Sequence, residues 1–479
     1  MKYEVVMGLE VHVELSTKSK LFCTCSAEFG AKPNEHVCPA CAGMPGLLPI
    51  TNKKAIELGM KAAIVTNSEI TSTISFDKKN YFYPDLPTGY QITQLFAPIC
   101  RSGYVDIQTE EGEKRITLKQ IHIEEDAGKL VHDSFSGSSL VDYNRAGVPL
   151  VEIVSNPDFR SADEVIAYLE KLRSLLVYAD ISDCKMQEGS MRADINLSVR
   201  EAGSEVLGTR TEMKNMNSLK AIVRAIQYES ERHIEALETG SEELIQETRR
   251  WDDAKNMSFS MRNKEDATDY RYFPNTDVMP IYIDSEWIQK VKEDIPEMAK
   301  ERSVRYMTEY NLSEYDSNLL VSSKNLSDIF EETVKICKKP KEAANWLLGD
   351  LMNLSKKDGI HADDVVMDAT KIAAIIGLVE NKTINRTIAR EIFERVYSDG
   401  IDPKQYIEEQ GLSMVSDEDD LRKICEEVIS DNPKVVEDYK KGNQKVIGFF
   451  VGNVMKRMGG KANPQIVNQI VKELLSKLD

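Results

Sequence analysis

The sequence predicts an α+β protein in three parts. A large N-terminal domain over residues 1–291 is expected on a mixed, mainly antiparallel sheet, followed by an all-helical domain over 292–405 and a small helical tail domain over 406–479. Three observations carry this reading. Up to about Lys292, short stretches of strict apolar/polar alternation are interspersed with capped helical periods; beyond it strand patterns stop and helical periods take over. The last stretch differs in charge from the rest of the chain, and 479 residues suit about three domains.

The first strand organises the domain. Met7, Leu9, Val11, Val13 and Leu15 alternate onto one face, so Glu10, His12 and Glu14 share the other. Side chains two apart on a strand stand about 6.6 Å apart along it, so a carboxylate and an imidazole can lean toward one hard cation. The same pattern also fits a half-buried strand with a solvated acidic face.

Next come Cys23-Thr24-Cys25 and Cys38-Pro39-Ala40-Cys41, two close thiol pairs whose spacing matches an all-thiolate tetrahedral zinc site. Four cysteine ligands leave no open position, so its role is to fix the intervening loop. Asn52 to Thr66 reads as a helix with Ile56, Met60 and Ile64 on one side. Lys78 and Lys79 then run into Tyr81-Phe82-Tyr83-Pro84, which can present a cation to phosphate beside a stacking surface or simply anchor a loop. A similar string recurs as Asp269-Tyr270-Arg271-Tyr272-Phe273-Pro274.

Arg115 to Asp126 reads as a strand whose apolar register shifts from Ile116 and Leu118 to Ile121 and Ile123, as at a bulge, and it ends in Glu124-Glu125-Asp126. Val148 to Val154 is almost continuously apolar around Glu152, and a buried carboxylate needs a cation or a metal beside it. Ser161 and Glu164 form a capping box before a helix striped with Val165, Leu169, Leu172 and Leu176. Asp194 to Arg200 and Arg210 to Lys214 alternate as strands and can form a hairpin, with Asp194, Asn196, Glu212 and Lys214 on polar faces. A helix follows from Asn217.

Composition limits function. A net charge of −18 and a pI near 5.0 exclude a polyanion partner held by bulk charge, so nucleic-acid contact requires a local basic patch. Val436 to Asp479 supplies one, with eight basic residues (Lys440, Lys441, Lys445, Lys456, Arg457, Lys461, Lys472, Lys477) against four acidic (Glu437, Asp438, Glu473, Asp479), a balance of +4. Glu4 and Glu10 interrupt any leader-like apolar core and no apolar run approaches the roughly 18 residues of a membrane span, so a cytoplasmic location is expected. There is no Walker-type loop, no G-x-G-x-x-G and no G-x-S-x-G.

Gly8 to His12, Lys79 to Pro84, His122 to Gly128, Asp269 to Pro274 and the ending Gly459 to Gln465, in this order, resemble the GatB family, the B subunit of aspartyl/glutamyl-tRNA(Asn/Gln) amidotransferases, over essentially the whole chain. The resemblance implies a ligase of protein biosynthesis. It would use ATP to activate the side-chain carboxylate of misacylated Glu-tRNA(Gln) or Asp-tRNA(Asn) as an acyl phosphate, which ammonia converts to the amide. Ammonia would come from a glutaminase A subunit, with a small C subunit completing a heterotrimer. The resemblance further implies that Glu10, His12, Glu125 and Glu152 hold Mg²⁺, with Glu124 behind them, and that Lys79 meets the nucleotide phosphates. Asp194 and Glu212 would lie nearer the amide-forming step, Cys23, Cys25, Cys38 and Cys41 would hold a structural zinc, and the tail would bind tRNA. Two other readings stand beside this one: a non-catalytic zinc-containing tRNA-binding protein, and a metallohydrolase using Glu10 and His12 without ATP.

Overall fold

The computed structural model describes residues 2–132, 137–263, 270–412, 418–440, 443, 445–458, 462 and 464–477. Asp269 of the second aromatic string, Lys441 and Lys461 of the basic tail, and Gly459, Gly460 and Asn463 of the closing motif lie outside the described residues. Two compact units divide between Ala299 and Lys300.

The first unit is built on a ten-stranded sheet. Its strands are β1 (Tyr3–Glu14), β2 (Glu69–Ile70), β3 (Cys100–Arg101), β4 (Tyr104–Thr109), β5 (Gly112–Glu125), β6 (Pro149–Ser155), β7 (Met191–Glu201), β8 (Thr211–Lys214), β9 (Glu247–Asp252) and β10 (Met257–Asn263). The order across the sheet is β10-β9-β8-β7-β1-β6-β5-β3-β2, with β4 paired to β5. Every pairing is antiparallel except β8 with β9, so the sheet is mixed and mainly antiparallel as the alternation predicts. The register of β5 against β6 slips between Val154 and Ser155, which places the expected bulge at Lys119.

Three helices cover one face: α1 (Lys53–Val65), α2 (Ala162–Tyr178) and α3 (Leu219–Thr239). Each starts where a side chain satisfies an otherwise orphaned backbone N–H. Asn52 accepts from Lys54 N, Ser161 from Glu164 N and Ser218 from Ala221 N. Their apolar stripes meet Leu9, Val11, Ile123, Ile153, Ile195 and Leu197 in one buried core. At Gly59 the approach of α1 to β5 is so close that a Cβ would stand 2.7 Å from Ile123 Cδ1. With the odd residues of β1 committed to this core, Glu10, His12 and Glu14 face the other way, onto the side of the sheet that carries the polar groups.

The helix Ser285–Glu293 belongs to the first unit because the buried ammonium of Lys61 on α1 bonds the backbone carbonyl and the carboxylate of Asp294, each at 2.9 Å. The second unit is helical throughout its described elements. Its last helices, Glu418–Ser430, Pro433–Lys440, Val446–Arg457 and Pro464–Ser476, share a core of their own around Leu421, Cys425, Phe450, Val467 and Val471. Of the tail cations, Arg457 is engaged by Glu427 at 3.5 Å and Asp431 at 2.9 Å. No helix among the described residues is long and apolar enough to cross a membrane.

Candidate active site

Register builds the site. His12 on β1 pairs with Glu152 on β6, and Glu152 pairs with His122 on β5, so three polar side chains form one row across three adjacent strands. Glu124, two residues along β5 from His122, projects to the same side. His12 Nε2 stands 3.3 Å from Glu152 Oε2 and 3.7 Å from Glu124 Oε1. His122 Nε2 is 2.8 Å from the same Glu152 oxygen and 3.5 Å from Glu124 Oε2, which also accepts from Thr93 Oγ1 at 2.9 Å. Donor atoms of His12, Glu124 and Glu152 lie within 4.8 Å of one another.

A second group adjoins the first on the same face. Glu10 pairs with Asp194 on β7, and Asn196 pairs with Glu212 on β8. Ligand atoms of Glu10, Asp194 and Glu212 also fall within 4.8 Å. The ammonium of Lys214 bridges Asp194 and, at 3.1 Å, Glu212. Asn196 Nδ2 donates to Glu10 at 2.9 Å, and Thr248 Oγ1 to Glu212 at 2.8 Å.

The charges on this face are strongly coupled. Burial opposes protonation of the imidazoles, yet Glu152 and Glu124 overcome it and raise His12 to about 9 and His122 to about 10. Conversely, and against their burial, Glu152 is held well below the usual carboxylate range by His122 and His12, and Glu124 is lowered chiefly by His122. Glu10 is shifted up by burial and then by Glu152 and Glu212. Once a cation displaces the His12 proton, that imidazole and two ionised carboxylates form a donor set suited to a divalent cation that prefers oxygen and nitrogen.

The two aromatic strings meet at this site. Phe273–Pro274 pairs with Asp77–Asn80, and Asn80 Nδ2 donates to the Arg271 carbonyl at 2.8 Å. Tyr81 and Tyr270 pack edge to face at 5.8 Å, and the Lys79 ammonium lies 5.7 Å and 5.0 Å from their ring centroids. Burial favours a neutral Lys79, but Glu124, Tyr272 and Glu152 outweigh it and keep the amine firmly charged. The strings thus hold one half-buried cation within electrostatic reach of the carboxylates of the first group.

Glu125 does not join that group, contrary to the expectation that it stands with Glu10, His12 and Glu152. Adjacent strand residues project to opposite faces, and Glu125 shares the parity of Ile121 and Ile123. Its carboxylate accepts from Ile92 N at 3.2 Å and lines a separate cavity of about 280 Å³ with Lys20, Tyr90, Cys41 and Gly147. Burial there raises Glu125 to about 7. Glu124 takes the place expected for Glu125, and Glu10 stands with the second group. The parity of Ile121 and Ile123 is a local signal for this, whereas the expectation for Glu125 came from the family resemblance.

One wall of the cavity is the cysteine loop. The four thiol sulfurs of Cys23, Cys25, Cys38 and Cys41 lie within 4.8 Å of one another, a cluster able to hold a metal ion. Cys41 is lowered to about 4, first by a hydrogen bond from Cys23, then by the Cys38 backbone N–H and the Lys20 ammonium 3.7 Å away. Burial raises Cys25 to about 11. The hairpin of Lys129–His132 and Ser139–Asp142 grips the loop from outside, where Asn34 N donates to Asp142 at 3.0 Å.

His122, Thr93, Lys214, Asn196 and Thr248 escape a motif-based reading. His122, Asn196 and Lys214 carry a local sign, their parity with Glu124, Asp194 and Glu212; Thr93 and Thr248 reach the site only through the tertiary fold.

A half-buried imidazole–carboxylate set beside a fixed ammonium, carried on one face of a mixed, mainly antiparallel sheet, is the kind of site that accommodates a cation and anionic groups. Residues 5–289 match the model of the GatB/GatE catalytic domain and residues 328–475 that of the GatB domain. A protein of Lachnoclostridium phytofermentans is 55% identical over 475 residues, one of Agathobacter rectalis 53% over 473, each alignment covering 99% of both chains. One of Thermoanaerobacter pseudethanolicus is 49% identical over 477 residues and 100% of both. All three bear the name of the B subunit of aspartyl/glutamyl-tRNA(Asn/Gln) amidotransferase. The chain belongs to the GatB family, the B subunits of glutamine-hydrolysing tRNA-dependent amidotransferases, and its enzyme class is that of a ligase.

Proposed function

We infer that this chain activates the side-chain carboxylate of misacylated Glu-tRNA(Gln) or Asp-tRNA(Asn) with ATP and then directs ammonia onto the acyl phosphate. The observation that carries this reading is the convergence of Lys79 with His12, Glu124 and Glu152 at one half-buried spot. Phosphoryl transfer to a carboxylate brings several negative charges together, and fixed cations offset them. In this proposal His12, Glu124 and Glu152 hold Mg²⁺, which supplies charge neutralisation at the phosphates. Lys79, half-buried and flanked by Tyr81 and Tyr270, reaches the transferred phosphoryl group. Asp194, Glu212 and Lys214 form the neighbouring polar seat, where the carboxylates can orient an incoming amine and take up its proton. Ammonia is proposed to come from a glutaminase A subunit, with a small C subunit in the same assembly. The cysteine quartet is proposed to hold zinc with no open position, stiffening the loop that walls the Glu125 cavity. The helical tail is proposed to meet tRNA phosphates.

The test is ADP release and acyl phosphate formation by the purified assembly given misacylated tRNA and labelled ATP without glutamine. Lys79→Met and Glu124→Gln are expected to lower this activation at least about 100-fold while glutaminase activity persists. Activation at the wild-type rate in both variants would refute the assignment.

A further inference from the structure

We propose that His122 is the positioning residue of this site: by hydrogen bonding Glu152 and standing 3.5 Å from Glu124 it turns their carboxylates toward His12, which alone of the two imidazoles is left to take the cation. The inference rests on the reading of His12, Glu124 and Glu152 as a cation seat.

Distances separate the two histidines. Around a cation with ligands at about 2.1 Å, neighbouring donor atoms stand about 3.0 Å apart. His12 Nε2, at 3.3 Å and 3.7 Å from its two carboxylate oxygens, spans edges of about that size with slight slack. His122 Nε2 at 2.8 Å from Glu152 makes a direct charge-assisted hydrogen bond with no space for an ion between. Glu124 divides its oxygens in the same sense. Oε2 faces His122 and Thr93, which leaves Oε1 for the His12 side.

His122 is also built to stay in place. It is buried, and the strand that carries it is pinned from the other face by the fully buried Ile121 and Ile123, the latter pressed by α1 at Gly59. The ring's Nδ1 is buried and without a hydrogen-bond partner among the described residues, so Nε2 carries its hydrogen bonding. Groups that hold a metal's ligands commonly change its affinity about 10–100-fold when removed.

The experiment measures binding of Mn²⁺ alone, by loss of the free-ion electron paramagnetic resonance signal, to the assembled complex. His122→Leu and His122→Asn, whose amide ends short of Glu152, are expected to weaken Mn²⁺ about 10–100-fold. His122→Gln, which can still reach as a donor, should stay within about threefold of wild type. Zinc content and the circular dichroism spectrum should be unchanged, which separates positioning from misfolding. If wild type and Glu152→Gln bind Mn²⁺ equally, the cation seat itself is wrong and the inference falls with it. If Glu152→Gln loses Mn²⁺ while folded His122→Leu or His122→Asn keeps wild-type affinity, the role of His122 alone is overturned. A glutamine variant as weak as leucine overturns it too, because the ring would then be a ligand.

Discussion

Replacing Glu152 by Gln removes the charge that two imidazoles share while keeping shape, and its cost should depend on pH in a defined way. The unfolded histidine value is 6.5, and folding raises His12 to about 9 and His122 to about 10. A group raised on folding adds stability that is complete below its unfolded value and vanishes as pH climbs through its folded value. At pH 7, His12 lies about two units below its folded value and His122 about three, so each contributes on the order of 3 kcal/mol. Glu124 remains beside both rings in the variant and retains part of this, so a net loss of about 3 kcal/mol is expected. The loss should shrink between pH 7 and 10 as both rings deprotonate in the folded protein. On the acid side, Glu152 is lowered from 4.5, so its contribution is present above that value and disappears as pH falls through its depressed folded value. Glu125 and Glu14, raised to about 7 and about 8, also weaken the fold as pH rises, but they are common to both proteins and cancel in the difference. Urea unfolding of wild type and variant in magnesium-free buffer, followed by circular dichroism from pH 5 to 10, measures the difference directly. A cost that does not vary with pH, or none at pH 7, would refute the shared-charge description of this row.

Two further outcomes follow from other parts of the chain. Cys38→Ser should remove about one zinc per chain and lower the unfolding temperature while leaving activation per folded molecule within about twofold, measured by metal analysis beside the ADP-release assay; full loss of activity in a folded variant would point to a catalytic metal. Deleting the tail from residue 413, outside its core of Leu421 to Leu475, should raise the Michaelis constant for misacylated tRNA, flatten its salt dependence and spare ATP binding, and an unchanged salt slope would exclude phosphate contacts by the tail.

Much of the fold was legible because its rules are local. Alternation in Met7 to Leu15 sets which residues face the core, Asn52 and Ser161 cap α1 and α2 at the expected places, and the parity change between Leu118 and Ile121 marks the bulge at Lys119. The cysteine spacing likewise identifies four sulfurs that the loop brings together. The site was legible only in part. Alternation states which side of its own strand a residue takes, not which strand lies beside it or in what register. That His122, Glu152 and His12 form one row depends on β5, β6 and β1 being neighbours, and that Glu10 faces Asp194 depends on a pairing across more than 180 residues. The aromatic strings are joined by a hydrogen bond between residues 191 apart, which gives Lys79 its cage. The sequence by itself therefore determined the elements, their buried faces and the inventory of acids, imidazoles and thiols. The tertiary structure alone decided which of them meet, because non-local strand pairing sets distances that no local period encodes.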